Sequence, residues 1–183
     1  MKKFPSVASL TPEQFEQQVR AWLEAGRSGL EEFTAKHQDY VPGHDGEYSI
    51  DVTARFTAFR GARFFVIVEC KKHNNPIKRD VVQILHQKQL STGANKALVV
   101  ATANFQSGAI EYAAKHGVSL IQVVSGQFRY VQASAIPSGK IPEDAEDFVG
   151  LFYGPNLDGK FMFPELVSSD LMVRFASYLC NPD

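Results

Sequence analysis

The sequence predicts an α/β fold on a mixed β-sheet, antiparallel in its first half and parallel in its second. Three observations carry this. Two β-rich runs, Tyr48–Phe56 and Phe64–Lys72, flank Arg60-Gly61-Ala62-Arg63, which reads as a hairpin turn because glycine accepts positive φ without strain. From Ile77 onward helical and strand patterns alternate: Ile77 to Leu90, Ala97–Ala101, Ser107–His116 and Val118–Val124. The strands in this half are unbroken apolar runs, the mark of strands buried on both faces.

Each element has a local cause. Thr11 can cap a first helix, Pro12 fits its first turn, and Glu13 sits at the positive end of the dipole. Phe15, Val19, Trp22 and Leu23 follow at helical spacing, and Gly26 closes the helix. Glu16 stands at the edge of that stripe, where the residues alone give a solvated helix acid. Gly29 to Phe33 reads as a strand or an irregular lead-in, and Val41 to Gly46 as a turn-rich loop. His44 in that loop could touch a ligand, but a lone loop histidine is more often merely exposed.

In the second helix Val81, Ile84, Leu85 and Lys88 define one face, with Gln83 and Gln87 nearly opposite. Small residues at Ala109, Ala113 and Ala114 let the third helix pack close, and Gly117 ends it. Thr102 and Asn104 read as a turn or caps for that helix. After Gly126 the character changes. Gln127–Gln132 would add an edge strand, Ile136–Asp147 is a Pro/Gly/acid-rich linker, Phe148–Phe163 is aromatic-rich, and Ser169–Cys180 patterns as an amphipathic helix. The expected division is a core over residues 1–133 and a C-terminal extension over 134–183, packing on the core or a partner. Its aromatic residues would cover the core or a second copy, which leaves a homodimer open.

Composition bounds the function classes. The chain has 183 residues, 44% hydrophobic and 21% charged, ordinary for a soluble globular protein. Nineteen basic and twenty acidic residues give a net charge of −1, so overall charge lends no support to nucleic-acid binding and leaves it to local clusters. No run is long or apolar enough to cross a membrane. Two cysteines without metal-ligand spacing, and no signal-peptide core after Met1, make a reducing cytoplasm the simplest compartment.

The chemistry lies where the strand Phe64–Val68 runs into Glu69-Cys70-Lys71-Lys72. Alternation puts Glu69 and Lys71 on one face and Cys70 and Lys72 on the other. Glu-x-Lys alone is common. A second acid, Asp51, interrupts the partner strand, and a hairpin would return it beside Glu69 and Lys71. Two carboxylates there repel unless one is protonated or a cation lies between them. Oxygen ligands of this kind suit Mg²⁺, and the lysine could orient or deprotonate a water or stabilise charge on a phosphate.

The hairpin must satisfy parity. Asp51 shares a face with Glu69 and Lys71 only if it pairs with an odd-numbered residue. A two-residue turn at Arg60-Gly61 would set it opposite Cys70. The expectation is therefore an odd loop, such as Arg60 to Ala62 with Gly61 or a neighbour at positive φ, or a β-bulge between Asp51 and the turn.

Asp51…Glu69-x-Lys71 resembles the catalytic signature of the PD-(D/E)xK nuclease superfamily. Phe15-Glu16, His44-Asp45-Gly46…Ile50-Asp51-Val52, Glu69-Cys70-Lys71-Lys72, Val82-Gln83, Ala101–Phe105…Ala109…Tyr112-Ala113 and Val118–Ile121 follow one another in the order of Mrr-like restriction endonucleases, from about Leu10 to Val124. The approach to Asp51 through Gly46–Ile50 is longer and less glycine-rich than the family's usual one. The resemblance implies a restriction-endonuclease-like three-layer α/β/α fold with a central mixed β-sheet, and a DNA endonuclease using Mg²⁺ or Mn²⁺. Asp51 and Glu69 would hold the metal, Lys71 would assist the attacking water, and Glu16 and Gln83 would support them. Lys72, His73, Lys78, Arg79 and Lys88 form the densest basic cluster in the sequence, placed to meet DNA phosphates. The alternative is an inactive nuclease-fold module that binds DNA or serves assembly. A small-molecule α/β enzyme is a more remote third.

Overall fold

The computed structural model describes residues 10–25, 27, 29–72, 74–124, 149–153 and 165–167. Its helices are α1 (Pro12–Ala25), α2 (Arg79–Thr92) and α3 (Ser107–His116). Among the described residues seven strands form one sheet in chain order. They are β1 (Glu31–Gly43), β2 (Gly46–Ala58), β3 (Ala62–Lys71), β4 (Lys96–Ala101), β5 (Ser119–Val124), β6 (Val149–Tyr153) and β7 (Glu165–Val167). The pairs β1–β2 and β2–β3 are antiparallel, β3–β4 and β4–β5 parallel, and β5–β6 and β6–β7 antiparallel. The mixed α/β sheet expected from the sequence is thus present. Strands β6 and β7 fall within 134–183 and continue the same sheet. The strand expected at 127–132, the linker at 136–147 and the helix at 169–180 lie outside the described residues.

The layers follow from alternation. On one face Phe15, Val19, Trp22 and Leu23 of α1 pack on Val66, Val68 and Cys70 of β3 and on Leu98 and Val100 of β4. On the other, Val82 and Leu85 of α2 and Ala109 and Ala113 of α3 cover Ile67, Ala97, Val99, Ala101 and Leu120. Neighbouring residues of β3 and β4 therefore enter opposite cores, which is why these strands show no polar alternation. Each buried Val, Leu or Ile contributes about 1.5–3 kcal/mol. Helix α1 starts at a capping box. The Gln14 amide donates to Thr11 Oγ1 (3.2 Å) and the Thr11 amide donates to Gln14 Oε1 (2.8 Å).

Two expectations are corrected. Of the α2 face expected at Val81, Ile84, Leu85 and Lys88, Leu85 is buried and Val81 packs partly on the core, but Val82 is buried in place of Ile84, which is 58% exposed. The helix begins at Arg79, not Ile77. Ile77 is an extended residue bridged to Phe105, fills the core itself, and leaves the helix to meet the sheet through the next turn. The second correction is β1. One 13-residue strand runs through both the lead-in and the supposed loop, and the turn shrinks to His44-Asp45. It is an edge strand whose residues alternate between exposed and half-buried, so it carries no apolar signature.

The β2–β3 hairpin has an odd loop. Ala58 pairs with Ala62 across Phe59-Arg60-Gly61, one residue earlier than expected, and the register holds without interruption to Val52↔Val68. Phe59, Arg60 and Gly61 have φ of 50°, 60° and 121°. Beyond Val52 the strand β2 leaves β3 and stays paired to β1 alone. At this point Gln38 takes φ 50°, between the pairs His37↔Val52 and Asp39↔Ile50. The two-stranded ribbon turns over there. Val52, Ala54 and Phe56 lie in the α1 core, whereas Ile50 and Val41 lie in the α2 core.

The ribbon's tip is fastened to α2. The His44 amide donates to the Ser91 carbonyl (3.0 Å), the Ser91 hydroxyl donates to Asp45, and Tyr48 OH donates to Asp45 Oδ1 (2.9 Å). The Ser91 and Tyr48 hydroxyls hold the Asp45 carboxyl below the usual carboxylate range. Gly43 lies flush against this contact. A methyl added there would meet Ser91 Oγ, with Tyr48 Cε2 at 2.9 Å and the Ser91 backbone at 3.2 Å. Gly43→Ala should therefore lift the ribbon and destabilise the protein by about 1–3 kcal/mol. Urea unfolding measures this, and an unchanged midpoint would rule out the close docking.

Candidate active site

The site forms where β2 and β3 part. Asp51 is the first β2 residue past the last pair, Val52↔Val68, and the same register carries it to the level of Glu69. Its Oδ2 accepts a hydrogen bond from the Cys70 amide (2.7 Å), a donor turned towards the departing strand. Strand β3 meanwhile continues against β4, with Glu69↔Val99 and Lys71↔Ala101. Glu69 thus stands near the carboxyl end of β3, parallel to β4, with Asp51 of the antiparallel β2 at its level, on the side where open α/β sheets bind ligands.

Glu69 is held from both sides. Lys71 Nζ donates to Glu69 Oε1 (2.6 Å), as expected of residues two apart on one strand face. Lys88 Nζ, from α2, donates to Glu69 Oε2 (3.3 Å) and to the Ser49 carbonyl (3.2 Å). All three charged side chains are largely withdrawn from water, with 13%, 26% and 19% of Glu69, Lys71 and Lys88 exposed. At such exposure screening is weak and the pairs are strongly felt.

The proton affinities follow. Burial raises the pKa of Asp51, and the carboxylates of Glu69 and Glu16 raise it further against the Cys70 hydrogen bond and the charge of Lys71. Burial would lower Lys71, but the hydrogen bond and charge of Glu69 outweigh it and keep this ammonium above the ordinary lysine value. Cys70 points into the α1 core, and burial followed by the charge of Asp51 pushes its thiol well up, which leaves it un-ionised.

Glu16 reaches the site from the α1 side. Its Oε2 is hydrogen-bonded to His37 Nε2 of β1 (2.8 Å). Both are mostly buried, and the Glu16 charge is felt at Asp51 and Cys70. Nothing in the sequence singles out this histidine, because the polar run around it hides the strand it stands on. From sequence Lys88 reads as part of an α2 face and of the basic cluster after the site, but its contacts with Glu69 and Ser49 are not legible there, since they cross from helix to sheet.

Other expected site residues lie elsewhere. Gln83 is exposed on α2, and no hydrogen bond among the described residues joins it to Asp51, Glu69 or Lys71. Lys72 follows the site at the end of β3 and is half-buried, and Lys78 is the exposed N-cap residue of α2. Arg79 opens α2 with its guanidinium 5.1 Å from the Tyr112 ring centre. His73 lies outside the described residues. Thr102 and Asn104 do not cap α3, whose N-cap is Gln106. The Thr102 amide instead donates to the Lys71 carbonyl (3.0 Å), and Asn104 Oδ1 accepts from the buried Gln122 (2.6 Å).

The donor set suits a hard divalent cation. Asp51 and Glu69 are oxygen donors, and burial first, then the neighbouring Glu69 and Glu16 carboxylates, disfavour a second bare negative charge at Asp51, which a cation would offset. Among the described residues no cluster of three or more His, Cys, Asp or Glu side chains could hold a metal. Two carboxylates of this kind would suit an ion that keeps several waters, as Mg²⁺ does.

Comparison with known proteins decides the family. Residues 7–125 match the Mrr catalytic-domain family, described as restriction endonuclease. The chain belongs to this family. The restriction-endonuclease domain spans α1 to β5 and contains Asp51, Glu69 and Lys71. A crystal structure of a protein of unknown function, AF1548, is similar at 25% identity and a TM-score of 0.47, covering 57% of this chain and 54% of that one. The chain thus spans about half the length of that relative. No functionally curated protein matches it.

The Asp51 environment predicts a pH effect. A carboxyl whose pKa is raised on folding binds its proton more tightly in the native state, so its contribution to stability is greatest below the unfolded value of 3.8 and is lost as pH rises through the folded one. Asp51→Asn removes that charge and keeps an oxygen for the Cys70 amide. At pH 7 the variant should melt a few degrees above the parent, and the difference should vanish near pH 3.5. Thermal scans at both pH values measure it; a lower melting temperature at pH 7 would contradict the electrostatic account.

Proposed function

We propose that this restriction-endonuclease domain hydrolyses DNA phosphodiester bonds with a divalent metal as cofactor. The observation that carries the reading is the meeting of Asp51, Glu69 and Lys71 where β2 leaves β3. Asp51 and Glu69 are the residues that would hold Mg²⁺ or Mn²⁺. The ion would supply Lewis-acid stabilisation of phosphate charge and a more acidic water. Lys71, raised in pKa, is protonated at neutral pH. It acts as a fixed positive charge that orients a water or phosphate oxygen, and it does not take a proton in this state. Glu16, held by His37, adds negative charge on the α1 side that would favour a cation at Asp51. In this reading residues 1–133 are the catalytic core and 134–183 an extension of it.

Metal-dependent nicking of supercoiled plasmid tests this, with EDTA as control. Asp51→Ala, Glu69→Ala and Lys71→Ala should each reduce cleavage by about 10²-fold or more, and a double variant should lose little beyond the worse single. Multiplicative losses would mean that the groups do not act on one centre.

Binding would use the electrostatics of Lys72, Lys78 and Arg79, with Gln83 as a further contact from α2. Neutralising Lys78 or Arg79 should weaken binding to all DNA sequences alike and lower the salt slope by about 1 for each phosphate no longer neutralised. Salt-dependent fluorescence anisotropy reads this directly, and an unchanged slope would remove these residues from the interface. A second reading, an inactive DNA-binding or assembly module, draws on one feature: both carboxylate oxygens of Glu69 are already taken by lysines. Binding without cleavage under every divalent metal would establish it.

A further inference from the structure

The Lys88 ammonium occupies an unusual place. It touches Glu69 Oε2 of β3 (3.3 Å) and the Ser49 carbonyl of β2 (3.2 Å), bridging two strands whose ladder has ended at Val52↔Val68. Ser49 precedes Asp51 by two residues, so Lys88 stands in the gap between the strands that carry the two acids. It comes from a different layer, α2, and nothing in the Glu69–Lys71 spacing calls for it.

We propose that Lys88 is the resident counter-cation of this site, competing with a divalent ion for the Glu69 carboxylate, and that it thereby sets the metal affinity. The inference rests on the metal-dependent reading above. A divalent ion held by Asp51 and Glu69 would otherwise lie beside two ammonium groups, Lys71 and Lys88, and like charges at such range repel strongly where water is scarce. One of them must withdraw. Lys71 has the shorter contact, 2.6 Å to Glu69 Oε1 from the same strand face. Lys88 has the longer contact, and its flexible four-carbon stem can swing its charge to solvent while the helix stays in place. Before metal binds, the same ammonium keeps Glu69 compensated and the Ser49 segment of β2 close to β3.

A purely structural tie and a competing cation predict opposite results. If Lys88 only braces the strands, its loss loosens the site and weakens metal binding. If it competes, its loss tightens binding. Mn²⁺ is titrated into the full chain and free Mn²⁺ is followed by electron paramagnetic resonance, for the parent, Lys88→Met, Lys88→Arg and Glu69→Gln. Lys88→Met should bind Mn²⁺ roughly tenfold more tightly than the parent, since one facing charge is gone. Lys88→Arg keeps the charge and should stay within about threefold of the parent. Glu69→Gln should bind more weakly than the parent. Equal or weaker Mn²⁺ binding by Lys88→Met, with the parent still binding, overturns the role of Lys88 alone. Absence of Mn²⁺ binding by both proteins overturns the metal-dependent reading and this inference together. Should Lys88→Met fail to fold, as judged by circular dichroism, Lys88→Gln takes its place: tighter binding supports the competing cation, and equal or weaker binding overturns it.

Discussion

Everything in the site depends on placing like charges at the end of a buried sheet. Asp51, Glu69 and Glu16 converge from β2, β3 and α1, away from the water that would otherwise screen them from one another. Positive charge, polar hydrogen and a shared proton are the means by which protein groups can offset such repulsion. The chain uses the first two at once. Lys71 and Lys88 grip Glu69, the Cys70 amide turns to Asp51, and His37 holds Glu16. Such an arrangement costs stability locally and is tolerated because the two apolar cores on either side are large and continuous.

That convergence in turn requires the strands to separate. If β2 continued against β3 past Val52, the Cys70 amide would lie in an ordinary ladder and Asp51 would be one more sheet residue. The positive φ of Gln38 and the crossing of the ribbon from the α1 core to the α2 core release it. The contacts of the ribbon tip with Ser91 then hold the departed strands in place. A carboxylate at such a point is open towards the strand ends yet anchored by a backbone donor.

The sequence discloses what continuous apolar runs and turn chemistry can disclose. Strands β2 to β5, the three helices, the cap at Thr11 and the odd hairpin loop are all legible in it, as is the clustering of Asp51, Glu69 and Lys71. Residues whose meaning lies across layers are not. Lys88 is legible as one of a basic cluster near the site but carries no local cue that it grips a strand-end acid, and His37 lies in a polar edge strand that resembles a loop. The α2 face is misread because Ile77, which continues the helical pattern, is an extended core residue outside the helix.

The unbroken ladder carries a rule about length variation in this hairpin. Ala58 and Ala62 enclose the loop, and the pairing from there runs without a bulge to Val52↔Val68 and the level of Asp51. A residue added within the loop only lengthens it, because Ala58 and Ala62 can still pair. A single residue inserted in the paired stretch would exchange the inner and outer side chains beyond it unless a bulge absorbed it, turning Val52 or Asp51 to the opposite layer. Length is thus free at the bend and locked along the rails that lead to the acids.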